Sequence, residues 1–243
     1  MGVVTKPLVE QIRVNWLNVQ ERIAAAAARV DRNLQDVTVV AVSKLQPVEK
    51  VEAAIQCGIT DFGENYPEQA VEKIQHFAQD DEIRWHMIGH LQSRKSSIVA
   101  SHFSMFHALD RISIATKLEK QLEIVSRNLP VLLEVNVSGE LSKGGWDMRT
   151  ISYDKWIEDV EQLTNFTHIQ ILGLMTMPPF DTRPEQSRVY FNQLFELKCR
   201  LSESFPKLNL KHLSMGTSQD YEVAVEEGAT LVRIGTAILG ARI

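Results

Sequence analysis

The segment that most constrains this chain is residues 37–44, which read VTVVAVSK and end in a lysine. Because the run is apolar at both alternate positions, it predicts a strand buried on both faces, as in a parallel sheet covered by helices. Lys44 then lies at the carboxyl end of that strand. In α/β proteins the loops at this edge line the ligand crevice, so Lys44 is a candidate functional residue. The alternative is that Lys44 only begins a solvated loop.

The same unit of an apolar strand followed by a helix recurs along the chain. We predict eight strands, at 37–43, 59–62, 83–88, 103–109, 130–137, 169–175, 210–213 and 230–233. Eight such units favour a single (β/α)8 TIM barrel over 1–243, with residues 1–36 forming an extra N-terminal helix that packs on the barrel. Gly58 is predicted to end the helix after the first strand, and Asp110 to cap the helix after the fourth. An open doubly wound sheet is the alternative, but no Gly-x-Gly-x-x-Gly turn follows the first strand.

Charge, hydropathy and cysteine content argue against several classes of protein. The 26 basic and 31 acidic residues are spread along the chain and sum to −5, so no basic block is available for nucleic acid. No apolar run approaches the roughly 20 residues of a transmembrane helix, and residues 1–7 have no signal-peptide layout. Cys57 and Cys199 have no metal-like spacing and are interpreted as reduced thiols. We therefore expect a soluble, cytoplasmic protein without a membrane or nucleic-acid partner.

Glycine and hydroxyl residues follow the seventh and eighth predicted strands. The chain reads SMGTS at 214–218 and Gly235-Thr236 after the last strand. Backbone N–H groups at the start of a helix can bind an anion, and barrels of this kind commonly bind phosphate at the loops after strands seven and eight. In a closed barrel the eighth strand lies beside the first, so both loops would lie near Lys44. For either loop alone, simple helix capping is the alternative.

A strand-end lysine beside a phosphate site indicates a ligand that has both a carbonyl and a phosphate. Lysine forms an imine with a carbonyl, so pyridoxal phosphate (PLP) and the sugar phosphate of an aldolase both fit. Arg233 favours PLP. If its guanidinium points inward from the last strand, it can donate to the pyridine nitrogen and keep that nitrogen unprotonated.

Other polar residues give weaker signals. His86 and His90 are four residues apart, but on a strand and its loop instead of one helix, so structural or ligand-lining roles fit them better than zinc binding. Arg94, Lys95 and Lys143 could attract anions, although solvated loop charges are the simpler interpretation.

Seven blocks, in order along the chain, resemble a known family. They read AVSK at 41–44, FGENY at 62–66, WHMIGHLQ at 85–92, SKGG at 142–145, GLMT at 173–176, LSMGTS at 213–218 and VRIGTAILG at 232–240. Together they closely resemble the pyridoxal-phosphate homeostasis protein family, and the likeness covers nearly the whole chain. One departure is Arg94, where the family usually has asparagine, which puts any role of that loop in doubt.

The resemblance implies a barrel like the N-terminal domain of alanine racemase, carrying PLP as a Schiff base on Lys44. It also implies a ring contact from Arg233, lining by Asn65, and phosphate contacts from the glycine and hydroxyl residues Ser214, Gly216, Thr217, Gly235 and Thr236.

The function implied by the resemblance is intracellular vitamin B6 homeostasis with indirect effects on amino-acid metabolism. We expect a monomeric carrier of PLP, with PLP-requiring apoenzymes as candidate partners and no metal. An amino-acid racemase is the alternative. Racemisation needs a base on each face of the cofactor, whereas Lys44 supplies one. The sequence ends at Ile243, a short turn after the last predicted strand, so we expect no second domain of the kind that completes alanine racemases. An unprotonated pyridine is also a poorer electron sink. We therefore expect no catalytic activity.

Overall fold

Eight parallel strands close into a barrel in the computed structural model, which describes residues 4–140, 143–179 and 183–241. The strands along these residues are β1 (Thr38–Val42), β2 (Asp61–Glu64), β3 (Arg84–Met87), β4 (Met105–Leu109), β5 (Leu129–Asn136), β6 (Trp146–Asp147), β7 (Ile169–Met175), β8 (His212–Thr217) and β9 (Leu231–Ile234). Around the barrel the order is β1-β2-β3-β4-β5-β7-β8-β9, and β9 pairs with β1 to complete the ring. The short β6 pairs with β5 outside this ring. The predicted TIM barrel is therefore confirmed, and the open sheet is excluded.

Helices follow the barrel strands and cover their outer faces. They are α1 (Lys6–Ala28), α2 (Val48–Ile55), α3 (Pro67–His76), α4 (Ser96–His102), α5 (Ile112–Ile124), α6 (Tyr153–Thr164), α7 (Arg188–Ser204), α8 (Tyr221–Glu226) and α9 (Thr236–Leu239). Every residue of β4 and of β9 is buried, because the helices cover one face and the barrel interior encloses the other. This double burial explains why the strands are apolar without alternation.

Helix α1 precedes the first strand and packs on the outside of the barrel against α8 and α9. Its buried stripe includes Ile12 and Ile23. Polar contacts add to this packing: Asn15 Nδ2 donates to the carbonyl of Ile238 at 2.9 Å, and Arg29 pairs with Glu226 at 2.6 Å. The N-terminal helix therefore braces the last two βα units. Within the described ranges, no helix combines the length and the hydropathy needed to cross a bilayer.

Two strands end later than the sequence pattern predicts. Strand β8 continues through Ser214 to Thr217, residues that we predicted to form a loop, because Ser214 pairs with Met175 of β7. Strand β2 likewise extends to Glu64, which pairs with Met87 of β3. The added residues include Ser214 and Glu64, which are polar and fully buried in the barrel. Hydrophobicity alone therefore does not predict that these strands continue.

The predicted helix ends are partly right. Gly58 follows α2 at φ +84°, a conformation that glycine adopts without strain, so its role at the end of that helix is confirmed. The prediction that Asp110 caps α5 is wrong. The N-cap is Arg111, which makes no side-chain capping bond, and Asp110 pairs with the Arg111 guanidinium instead.

Candidate functional site

Lys44 lies two residues beyond β1, at the end of the barrel where the carboxyl ends of the strands meet, which we call the barrel mouth. It is half-buried and occupies a tight turn in which the N–H of Gln46 donates to the carbonyl of Ser43 at 3.0 Å. Leu45, the next residue in the turn, has φ +59°, a left-handed conformation that is strained for leucine. The surrounding contacts must therefore hold this turn in place.

A buried ion pair holds the base of the Lys44 turn. Lys73 Nζ on α3 lies 2.7 Å from Glu64 Oε1 and donates to the carbonyl of Ser43 at 2.7 Å. Ser43 Oγ also donates to Glu64 Oε1 at 2.7 Å. The side chains of Lys73 and Glu64 are 8% and 0% exposed. Sequence reasoning missed this pair. The available signal was a lysine three residues after Ala70, on the buried face of the helix.

Arg233 points into the barrel from β9, one strand away from Lys44. It is 4% exposed. It donates to Ser214 Oγ and to the carbonyl of Thr176 at 2.9 Å, and it contacts Met177 Sδ. None of its hydrogen-bond acceptors in the described ranges is a carboxylate. Burial lowers the pKa of Arg233 to about 10, so the guanidinium stays protonated at neutral pH. A buried cation without a carboxylate contact is suited to a further acceptor from a ligand.

The loop after β9 lies directly against the end of β1. A Cβ added to Gly235 would lie 3.4 Å from Val42 Cβ and 3.5 Å from the Val42 carbonyl oxygen. The Gly235 N–H donates to Ser218 Oγ at 3.2 Å, which ties this loop to the loop after β8. Thr236 begins α9, and the first N–H groups of a helix have no partner within it. The Gly235 loop therefore lies against the end of β1, two residues before Lys44.

The residues at the end of β8 are used differently from what we expected. Ser214 is fully buried, and its hydroxyl contacts Arg233 and His107. Gly216 has φ +89°, and a Cβ there would lie 2.5 Å from Ala224 Cβ, so this glycine lets α8 pack on β8. The N–H and the hydroxyl of Thr217 both donate to Asp220 Oδ1, at 2.7 and 3.0 Å. Phosphate contacts at these three positions stay predictions.

Two further loops approach the mouth. Asn65, half-buried, follows β2, and a Cβ on Gly89 would lie 2.8 Å from the Asn65 carbonyl oxygen, so the glycine allows the two loops to touch. His90 Nε2 lies 3.0 Å from Glu134 Oε2. The hydrogen bond with Glu134 raises the pKa of His90. His90 therefore lines the mouth next to a carboxylate.

The remaining charged candidates lie elsewhere. Lys95 pairs with Glu68 of α3 near the surface, as expected for a loop charge. His86 is buried inside the barrel, where its Nε2 lies 2.9 Å from Asp61 Oδ1 and its Nδ1 lies 2.9 Å from His107 Nε2. This position fits a structural histidine, one of the two roles that the sequence favours. Sequence reasoning missed His107. The described residues hold no group of three or more His, Cys, Asp and Glu side chains placed to bind a metal ion.

Comparison with known proteins shows the family of this chain. Residues 15–243 match the family model described as alanine racemase, N-terminal domain. The chain is 39% identical to the pyridoxal phosphate homeostasis protein of Vibrio alginolyticus over 237 residues. This alignment covers 96% of this chain and 99% of that protein.

Solved structures show the same similarity. A protein from Bifidobacterium adolescentis has a TM-score of 0.87 at 29% identity over 98% of each chain. PipY of Synechococcus elongatus PCC7942, solved with PLP bound, has a TM-score of 0.79 at 30% identity and covers 90% of this chain and 100% of its own. By its sequence and its fold, the chain belongs to the pyridoxal phosphate homeostasis protein family, with the barrel of the alanine racemase N-terminal domain.

Proposed function

We propose that this chain binds PLP through Lys44 and carries it in the cytoplasm as a monomer, as part of vitamin B6 homeostasis. The observation that supports this most directly is the meeting of three features at the barrel mouth. Lys44 follows β1, the Gly235-Thr236 backbone lies against the end of the same strand, and Arg233 is buried on the adjacent β9. A relative of similar fold, PipY, was solved with PLP bound.

The donors at the mouth fit the parts of PLP. The aldehyde of bound PLP supplies imine chemistry with a lysine amine, and Lys44 is the lysine at the end of a buried strand here. The N–H of Thr236 lies at the start of α9 and can bind a phosphate, whereas the N–H of Gly235 already donates to Ser218 Oγ. We assign the phosphate first to Thr236 and the adjoining Gly235 loop and to Gly216 second, since both donors of Thr217 bind Asp220. Asn65 lines the same mouth.

Arg233 supports a carrier more than a catalyst. A guanidinium donates hydrogen bonds and does not accept them, so Arg233 would keep the ring nitrogen of bound PLP unprotonated. An unprotonated ring stabilises negative charge at the neighbouring carbon poorly, which disfavours removal of an amino acid's α-proton. The proposed role is therefore to bind PLP and release it to apoenzymes that require it.

The visible absorption spectrum tests Lys44. Protein incubated with PLP and dialysed should absorb visible light, and Lys44→Ala should lose that band because it removes the amine. The control is Lys155→Ala, on the exposed surface of α6, which should keep the full band. Borohydride reduction and peptide mapping should place the modification on Lys44. A full band in Lys44→Ala, or mapping to another lysine, would contradict the proposal.

Deuterium incorporation tests the absence of catalysis. The PLP-loaded protein should incorporate almost no solvent deuterium at Cα of common L-amino acids. Incorporation at about 1 per second or faster, lost in Lys44→Ala, would show instead that the protein is a PLP enzyme.

A further inference from the structure

A continuous chain of hydrogen bonds crosses the barrel interior. It starts at the amino ends of β2 and β3, opposite the mouth. There Arg84 binds Asp61 through two bonds, Nε to Oδ1 at 2.7 Å and Nη2 to Oδ2 at 2.6 Å. His86 Nε2 lies 2.9 Å from Asp61 Oδ1. Asp61 and His86 are buried, whereas the Arg84 side chain is exposed to solvent.

The chain then continues to the arginine of the proposed cofactor site. His86 Nδ1 lies 2.9 Å from His107 Nε2, and His107 Nδ1 lies 2.9 Å from Ser214 Oγ. Ser214 Oγ in turn accepts a hydrogen bond from Arg233 Nη1. All four residues are buried, and His107 and Ser214 are 0% exposed. His107 is therefore connected to Arg233 through a single hydroxyl group.

The two ends of this chain fix the directions of its outer bonds. Burial would raise the pKa of Asp61, but hydrogen bonds from Arg84 and His86 outweigh it and lower that pKa to about 2. Asp61 is therefore ionised and only accepts, so His86 Nε2 must donate. At the other end, Arg233 only donates, so Ser214 Oγ must accept.

His107 in the middle of the chain is neutral. Burial lowers its pKa well below the usual value, and the nearby groups of His86, Arg233 and His212 act in the same direction. If His86 donates only through Nε2, its Nδ1 is an acceptor and the neutral His107 donates to it through Nε2. His107 Nδ1 is then an acceptor too, and its bonding partner is the Ser214 hydroxyl. The reverse direction would require a cationic His86 buried in the same interior as the Arg233 guanidinium.

We propose that His107 is a positioning residue for the cofactor site. Its Nδ1 accepts a hydrogen bond from the Ser214 hydroxyl, which turns the lone pairs of Ser214 Oγ toward Arg233. The guanidinium is thereby held where the ring nitrogen of PLP would bind. This inference rests on the proposed function, because it takes Arg233 as the ring contact. It also gives Ser214 the role of holding Arg233 in place of a phosphate contact.

The first experiment uses protein without PLP. Nitrogen-15 NMR of the histidine side chains separates protonated from unprotonated ring nitrogens, and His107 should carry its proton on Nε2. A proton on Nδ1 would overturn the inference whether or not the protein binds PLP. Failure of wild-type protein to bind PLP, with the expected His107 tautomer, would instead refute the proposed function and leave the bond directions standing.

The second experiment compares variants loaded with PLP. Ser214→Ala removes only the hydroxyl, and we expect it to weaken PLP binding about tenfold and to shift the absorption maximum of the bound cofactor, since Arg233 loses its acceptor. His107→Leu should do the same, and combining the two should add little because both act through one contact. His107→Asn, whose amide oxygen can replace Nδ1 as the acceptor, should restore the wild-type spectrum. Unchanged affinity and spectrum in Ser214→Ala would overturn the inference, even if His107→Leu does not fold.

Discussion

Replacing Lys73 with methionine tests the ion pair beneath Lys44. Methionine keeps the length of the side chain and its helix propensity, so α3 should persist while the charge and the donor are lost. Two bonds of 2.7 Å disappear, one to Glu64 and one to the Ser43 carbonyl. The Glu64 carboxylate, whose Oε2 already has no partner in the described structure, then keeps the Ser43 hydroxyl and loses its counter-charge.

The size of the effect follows from the burial of both groups. Removing one partner of a buried pair leaves an uncompensated charge and costs about 3–5 kcal/mol of unfolding free energy. Unfolding in urea, followed by tryptophan fluorescence, measures it. With a slope of about 2–3 kcal/mol/M, the midpoint should fall by about 1–2.5 M. PLP occupancy should fall as well, because the Lys44 turn loses the bond at Ser43.

Two controls decide whether charge burial is the cause. Adding Glu64→Gln to Lys73→Met removes both charges, so the double variant should recover most of the lost stability. Lys155→Met breaks a surface pair with Glu158 and should leave the midpoint unchanged. The reasoning would be refuted if the double variant were as unstable as Lys73→Met, or if Lys73→Met behaved like Lys155→Met.

Two further predictions follow from the glycine loops and from Asp61. Gly235→Ala should fold normally, since its Cβ meets Val42 at ordinary contact distance, but should bind PLP about tenfold more weakly in a fluorescence titration. Gly216→Val should lower the melting temperature even without PLP, because its Cβ would overlap α8; equal melting temperatures for the two variants would contradict this contrast. The pKa of Asp61 lies at about 2 in the folded protein against 3.8 ordinarily, so its ionised form adds about 2 kcal/mol of stability that is present above pH 4 and lost as the pH falls toward 2. Asp61→Asn should therefore lower the free energy of unfolding at pH 7 and make it fall less steeply between pH 4 and pH 2. If urea unfolding gave the variant the same fall over this pH range as the wild type, the prediction would be wrong.

The barrel and the region of its site could be predicted from the sequence because both depend on simple patterns. Apolar runs located the strands, and eight βα units implied a ring. The ring places Lys44, Gly235 and Arg233 on adjacent strands, whatever the details of packing. These predictions needed only strand order and the positions of polar residues at strand ends.

Contacts within the barrel interior could not be predicted in this way. A strand buried on both faces shows no alternation, so hydrophobicity does not tell which residues point inward. His107 and Ser214 are 107 positions apart in the chain, and only the barrel geometry brings them together. The same holds for Gly216. Its place in the segment SMGTS suggested that a ligand approaches the backbone closely, whereas the structure shows that α8 does.

The pairing of the first and last strands has a consequence for folding. Asn15 of α1 bonds to the carbonyl of Ile238, 223 positions away, and β1 pairs with β9. Contacts of such long range form slowly because closing so large a loop costs entropy before the contact stabilises anything. The β1–β9 seam is also where the end of β1, two residues before Lys44, meets the Gly235 loop. Intermediates in which this seam is still open would have ordered helices and strands but no competent cofactor site, and the site would mature in the last step of folding.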